Sequence, residues 1–516
     1  MANTTTSIVT FSILSPDASL SYDRIKLRLE EYRTLLESDS DTVELSTENG
    51  KTVICRKQAK EMEEFLDQAE TLLQDVVQSR DLSTIVVLHH LRDLSEVLDS
   101  LKLYDECYLT GNCALALAEA LGRRSLEFRN EQAETLALIA GLSVYQPRSR
   151  TLFIQAVSIC EEVVANNASH SNKMTLLDVL FEAGYRASDN LCVQWLGHAV
   201  QLMTKELPPT MVDPHLRSAI YYNYGNGLHL LGQYASAVEA HNKAISIRRM
   251  LVNDDPVRHN LYLAEARMNM GLALDDLGKC GDAIAAYKEV LEVCTAMAAH
   301  DPLEYNELTA KTLVNYGVIF KKSNQYSEAA AVEKQAVSLY RNLAQKSNER
   351  TELLCGALRN HGTTCYMLGS LAESVLAYQE CILLLRALAA TDSQERLLIK
   401  ALHDIAISFL ALEKHAEADA AANEAVEMNH GRGLETCQNA LDFKLCFVCQ
   451  RATIPDSLPN VSTPILPANS SSRPAERPGA SIAPAETPNP TGETTNVSVH
   501  KRRKKILGFF RRNRAQ

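Results

Sequence analysis

The chain has 516 residues, of which 46 per cent are apolar and 22 per cent charged, with a net charge of −12. That composition excludes a wholly disordered chain, and no uncharged apolar run approaches the ~20 residues needed to span a bilayer. Thirteen cysteines, odd in number and scattered, argue against a disulfide framework and for reduced thiols in the cytosol or nucleus.

The first twenty residues, MANTTTSIVTFSILSPDASL, place no basic residue before their short apolar patch, so a secretory signal is not expected. Within residues 1–80, YDRIKLRLEEYRTLLES and QAKEMEEFLDQAETLLQDVVQS carry helical periodicity. The stretch TVELSTENGKTVIC between them offers an Asn49-Gly50 turn flanked by β-branched residues, the pattern of a small hairpin. A helical cap is the economical reading, a separate short helical unit the alternative.

Residues 81–450 are dominated by an internal repeat. NYGNGLHLLGQYASAVEAHNKA (223–244) aligns with NMGLALDDLGKCGDAIAAYKEV (269–290), NYGVIFKKSNQYSEAAAVEKQA (315–336) and NHGTTCYMLGSLAESVLAYQEC (360–381). A more degenerate copy follows, DIAISFLALEKHAEADAAANEA (404–425), and the leading residues lie 46, 46, 45 and 44 apart. Stepping back from Ala244, the small or apolar positions Ala199, Val157 and Ala114 fall 45, 42 and 43 residues apart. Eight repeats between about 83 and 430 are expected, clearest over 215–430.

Each copy predicts two amphipathic helices around a short turn. A small residue in the first helix (Gly225, Gly271, Gly317, Gly362, Ala406) lies twelve before one in the second (Ala237, Ala283, Ala329, Ser374, Ala418). Such pairs predict a close crossing of antiparallel helices. Seven after the first comes Gly232, Gly278, Asn324 or Gly369, residues that tolerate the left-handed conformation ending a helix; Glu413 departs from this. Asp255-Pro256 and Asp301-Pro302 predict helix starts, and Asp392 with Glu395 resembles a capping box.

These features resemble the tetratricopeptide repeat family: small residues at the crossing, Tyr234, Tyr326 and Leu371 after the turn, and Ala244 or Ala336 late in the second helix. The period exceeds the family's usual ~34 residues. The chain is similar to the long-helix variety found in kinesin light chains and fungal multi-repeat proteins. The resemblance implies an all-α, right-handed superhelical solenoid of antiparallel helix pairs whose first helices line a concave groove. It implies further that the asparagine two residues before each first glycine, Asn223, Asn269, Asn315 and Asn360, hydrogen-bonds the backbone of an extended peptide. An amide both donates and accepts, so it suits a peptide bond; capping of local helix ends is the competing reading. Asp404 breaks the pattern, so the ligand track is expected to end before it. Asp275 and Asp276, then Lys321 and Lys322, then Arg359 suggest a groove of alternating sign that would orient a charged ligand, or else ordinary solvated faces.

Sites of other kinds are not expected. Gly225 and Gly227 match neither a dinucleotide fingerprint nor a P-loop. His89-His90 lacks metalloprotease spacing, and no Gly-x-Ser-x-Gly elbow occurs. Cys446-x-x-Cys449, with Cys437 and His430, has irregular spacing for zinc, and LCFVC suits the apolar end of a last capping helix. No catalytic residue, cofactor or metal ligand is therefore expected.

Residues 451–500 hold nine of the sixteen prolines and predict a disordered linker. It leads into residues 501–516, with eight basic residues and no acid; residues 1–500 sum to −20. Lys501, Arg502, Arg503, Lys504 and Lys505 precede Ile506, Leu507, Phe509 and Phe510, then Arg511 and Arg512. Three readings remain open: an amphipathic segment for an anionic membrane surface, a nuclear import signal, or a solvated tail. The expected function is a non-enzymatic scaffold or adaptor, cytoplasmic unless the tail directs it to a membrane or the nucleus, that holds a peptide or partner protein in its groove. The alternatives are a regulatory factor held to nucleic acid by the tail, although the acidic body makes nucleic acid an unlikely partner, and an enzyme with an unrecognised site.

Overall fold

The computed structural model describes parts of residues 25–33 and 42–72, and residues 84–430 apart from 102, 126–127, 143–145, 188–189, 254, 346–347 and 389–391. Among the described residues the fold is all-α apart from one hairpin, and the chain divides into two compact units at Leu251 and Val252.

In the first unit, β1 (Thr42–Thr47) and β2 (Gly50–Cys55) form an antiparallel hairpin. Thr47 pairs with Gly50, which opens β2. Asn49 of the expected Asn49-Gly50 turn lies outside the described residues, and the register sets Val43 opposite Ile54. Among the described residues a helical stretch at 67–72 follows, and then α1 (Thr84–Ser100), α2 (Tyr104–Arg124), α3 (Arg129–Ala140), α4 (Gln146–Asn166), α5 (His170–Arg186), α6 (Asn190–Gln201), α7 (Pro214–Leu230) and α8 (Tyr234–Leu251). A π-turn over Leu202–Glu206 extends α6. Each helix packs on the next in the chain, and α1, α3, α5 and α7 also meet in succession. Ile25, Leu29 and Ala69 share a buried cluster with Leu88, Leu91 and Leu98 of α1, and Arg33 bridges to Asp67 at 2.7 Å and Glu70 at 2.9 Å.

The second unit contains α9 (Pro256–Asp276), α10 (Cys280–Met297), α11 (Pro302–Lys322), α12 (Tyr326–Ala344), α13 (Asn348–Met367), α14 (Leu371–Ala387), α15 (Asp392–Ala411) and α16 (His415–His430). They stack as four antiparallel pairs, with first helices α9, α11, α13 and α15 in contact from one pair to the next. Each pair buries its apolar faces only against its neighbours, the defining property of a solenoid.

Proline and aspartate set the starts. Asp255 accepts from the Arg258 amide at 3.1 Å and Asp301 from the Glu304 amide at 3.3 Å, each ahead of a proline in the first turn. Asp213 before Pro214 uses the same device, accepting from the His215 amide at 2.6 Å. The turns within the last five pairs share one geometry. Gly232, Gly278, Asn324, Gly369 and also Glu413 take φ between 57° and 80°. In every case the next amide reaches back to close a six-residue loop, from Gln233 to Leu228, Lys279 to Leu274, Gln325 to Phe320, Ser370 to Cys365 and Lys414 to Phe409, at 2.8–2.9 Å. Glu413 departs in residue type but not in conformation.

The small-residue crossing differs from the expected one. Ala237, Ala283, Ala329, Ser374 and Ala418 are fully buried, yet the atoms opposite each glycine come from four residues further along. A Cβ on Gly225 would stand 2.7 Å from the His241 ring, on Gly271 2.5 Å from the Tyr287 ring, on Gly317 2.8 Å from Glu333 Cγ, and on Gly362 2.8 Å from the Tyr378 ring. The glycine is therefore a socket for a bulky side chain. In the last copy Ala406 carries a methyl group and the residue sixteen on is Ala422, so the volume lost on one helix is regained on the other. Gly227 has a separate reason: a Cβ there would meet Cys192 Sγ at 2.8 Å on α6 of the preceding pair.

Candidate functional site

The sequence-predicted amides stand one per first helix. Asn223, on α7, belongs to the first unit; Asn269, Asn315 and Asn360 occupy the equivalent place on α9, α11 and α13 of the second. All four side chains are half-buried. Asn223 donates to the Ala219 carbonyl of its own helix at 2.9 Å, which leaves its oxygen as an acceptor. Asn269 is already engaged within the fold. The side-chain amides of Asn315 and Asn360 make no hydrogen bond among the described residues. At the next equivalent position Asp404 accepts from Arg359 Nε at 2.7 Å and lies 3.1 Å from His403 Nδ1.

Aromatic rings flank these amides. Tyr316, next to Asn315, stacks on Phe320 one turn along at a centroid distance of 4.5 Å and meets Tyr287 of α10 at 6.4 Å. On α7, Tyr222 lies under the Arg248 guanidinium at 4.4 Å. Within the second unit, half-buried amides beside aromatic faces can take up both the peptide groups and the apolar side chains of an extended segment.

The cations predicted to orient a ligand are committed elsewhere. Lys322 reaches back to Asp275 at 2.8 Å and Asp276 at 3.7 Å on the preceding first helix. Burial would lower the Lys322 ammonium, but the hydrogen bond and charge of Asp275, with Asp276, outweigh it and hold the group above its ordinary value. Lys321 lies 2.9 Å from the carboxylate of Glu333, which is only 1 per cent exposed. Arg359 bridges forward to Asp404 at 2.7 Å, and Arg350 back to Glu307 at 3.0 Å. Signs that alternate by copy along the sequence thus become ion pairs between neighbouring helices. Spacings of 43 to 47 residues conceal these partners from local pattern reading.

Among the described residues no helix is long and apolar enough to cross a membrane. Cys365 stands 3.6 Å from His361 Nε2, but burial, with the charges of Glu373 and Glu333, pushes this thiol up to about 11, the wrong direction for a nucleophile. Cys437, Cys446 and Cys449, the 451–500 linker, and the tail from Lys501 to Arg512 lie outside the described residues.

The tetratricopeptide repeat family matches residues 218–249, which is the pair α7 and α8. No curated protein matches the chain in sequence. Solved structures similar to it include BtubC from P. vanneervenii, at 15 per cent identity and a TM-score of 0.38, covering 58 per cent of this chain and 99 per cent of that one. A putative kinesin light chain from Podosopora anserina with nearly identical repeats is similar at 13 per cent identity and a TM-score of 0.34, over 43 and 97 per cent. The signal transduction ATPase PH0952 of Pyrococcus horikoshii, with its tetratricopeptide repeat sensor, is similar at 13 per cent and 0.43, over 79 and 59 per cent. Residues 218–249 thus match a tetratricopeptide repeat, and the described helix pairs before and after them share its two-helix build.

Proposed function

We propose that this protein is an interaction scaffold whose first-helix face in the second unit binds an extended segment of a partner protein. The observation that carries the reading is the pair Asn315 and Asn360: equivalent amides on successive first helices, half-buried, with no side-chain hydrogen bond among the described residues. Half-buried amides without partners are hydrogen-bonding capacity that a ligand backbone can use. The surrounding cations are paired, so the peptide is selected for backbone and apolar side chains rather than for net charge. The tail, read from sequence alone, attaches the scaffold to an anionic surface or an import receptor.

The test pans a random-peptide library against the full chain, then measures the enriched peptides on wild type and on Asn315→Ala/Asn360→Ala. Two lost hydrogen bonds at about 1 kcal/mol each predict affinity about 10- to 50-fold weaker, with circular dichroism unchanged. Peptides that bind the variant as tightly as wild type refute the reading.

A further inference from the structure

One pair in the second unit carries a side-chain cluster found at no other pair among the described residues. His361 and Cys365 lie one turn apart near the end of α13, and Glu373 stands in the first turn of α14 across the connection. His361 Nε2 is 3.6 Å from Cys365 Sγ and 3.6 Å from Glu373 Oε1, and the three ligand atoms all fall within 4.8 Å of one another. Around tetrahedral zinc, with Zn–S near 2.3 Å and Zn–N and Zn–O near 2.1 Å, nitrogen and sulfur sit about 3.6 Å apart and nitrogen and oxygen about 3.4 Å. The observed separations already approach those edges.

The repeat itself supplies an internal control. Where this copy has His361, the other four have Tyr224, Met270, Tyr316 and Ile405; where it has Cys365, they have Leu228, Leu274, Phe320 and Phe409. Both positions are otherwise filled by large apolar or aromatic residues, so packing alone does not ask for a histidine and a cysteine here. Acids at the third position are common to several copies (Asp282, Glu328, Glu417) and suit a helix N-terminus. Only the copy at 360–381 combines all three ligand types.

We propose that His361 Nε2, Cys365 Sγ and a Glu373 carboxylate oxygen bind a divalent transition metal, zinc by ligand softness, with a fourth position left to water. An imidazole, a thiolate and one carboxylate suit zinc rather than magnesium or calcium. His361 and Cys365 are buried and Glu373 is exposed, so the ion enters from the Glu373 side. Lys334, 3.5 Å from Glu373 and itself exposed, swings away as the ion binds. Binding releases the Cys365 proton as the thiolate takes up the metal. The metal ties the end of α13 to the start of α14.

The test titrates the reduced full chain with Co2+ and follows the thiolate-to-cobalt charge-transfer band. Wild type is expected to take up one equivalent with this band, and Zn2+ to displace it. Cys365→Ser removes the band. Glu373→Gln, a surface change that spares the core, weakens binding about tenfold, and Cys446→Ser/Cys449→Ser leaves the band intact. A band that survives Cys365→Ser, or one lost on changing Cys446 and Cys449, overturns the proposal, as does wild type without a band.

Discussion

His241 is the side chain that Gly225 makes room for, and it titrates against the fold. It is fully buried, neither ring nitrogen has a hydrogen-bond partner, and Tyr222 packs edge-on at 5.9 Å. Burial, with the nearby charges of Arg248 and His229, pulls its pKa down to about 3, against an unfolded value near 6.5. A base held below its unfolded pKa contributes full stability above that value and loses it as the pH falls toward the folded one. Between pH 7 and pH 5 the unfolded chain gains a proton at this site and the folded chain does not, which costs about 2 kcal/mol. His241→Phe keeps a ring in the socket, as Tyr287 and Tyr378 do in later copies, and removes the titration. The measurement is the free energy of urea unfolding of wild type and variant at pH 7 and pH 5. Wild type is expected to lose about 2 kcal/mol more than the variant over that interval. Equal losses would show that His241 takes up its proton in the folded state, and the reasoning would fail.

The two remaining predictions concern the repeat's joints. Gly271→Ala puts a methyl group 2.5 Å from the Tyr287 ring, and calorimetry should find about 1–3 kcal/mol of destabilisation from the forced shift; Gly271→Ala/Tyr287→Ala, which empties the socket, should show less than the sum of the two single changes. Glu413→Gly relieves a non-glycine residue at φ 60°, a conformation costing ~1–2 kcal/mol, less the greater chain entropy of glycine. A net gain of about 0.5–1 kcal/mol is expected from the same melts, and a loss would mean that the Glu413 side chain does more than occupy the turn.

The repeat was readable because it is written in residues with narrow conformational roles. Asp-Pro starts, Gly or Asn turn closures and small residues at a fixed interval each act within one helix pair, so their spacing shows in one dimension. What the glycines face was not readable. The partners are His241, Tyr287, Glu333 and Tyr378, four different side chains at one position, and volume complementarity leaves no shared letter to find. The ion pairs escaped for another reason. Lys322 with Asp275 and Arg359 with Asp404 join neighbouring copies, and a difference in sign between copies looks like surface variation until the helices are set side by side. The His361, Cys365 and Glu373 cluster was hidden in the same way, since two of its members replace apolar core letters and the third resembles an ordinary helix-start acid. The amide row at Asn269, Asn315 and Asn360 was legible as a pattern, although which of the amides is already engaged was not.

Pairing Lys322 with Asp275, Arg350 with Glu307 and Arg359 with Asp404 also shapes how a ligand approaches. Opposite charges a few ångströms apart largely cancel beyond the Debye length of about 8 Å, so these three pairs themselves add little to the field a ligand would meet. On the proposed reading, a peptide that docks on this face is not steered by these pairs, and discrimination falls to how slowly the correct segment leaves.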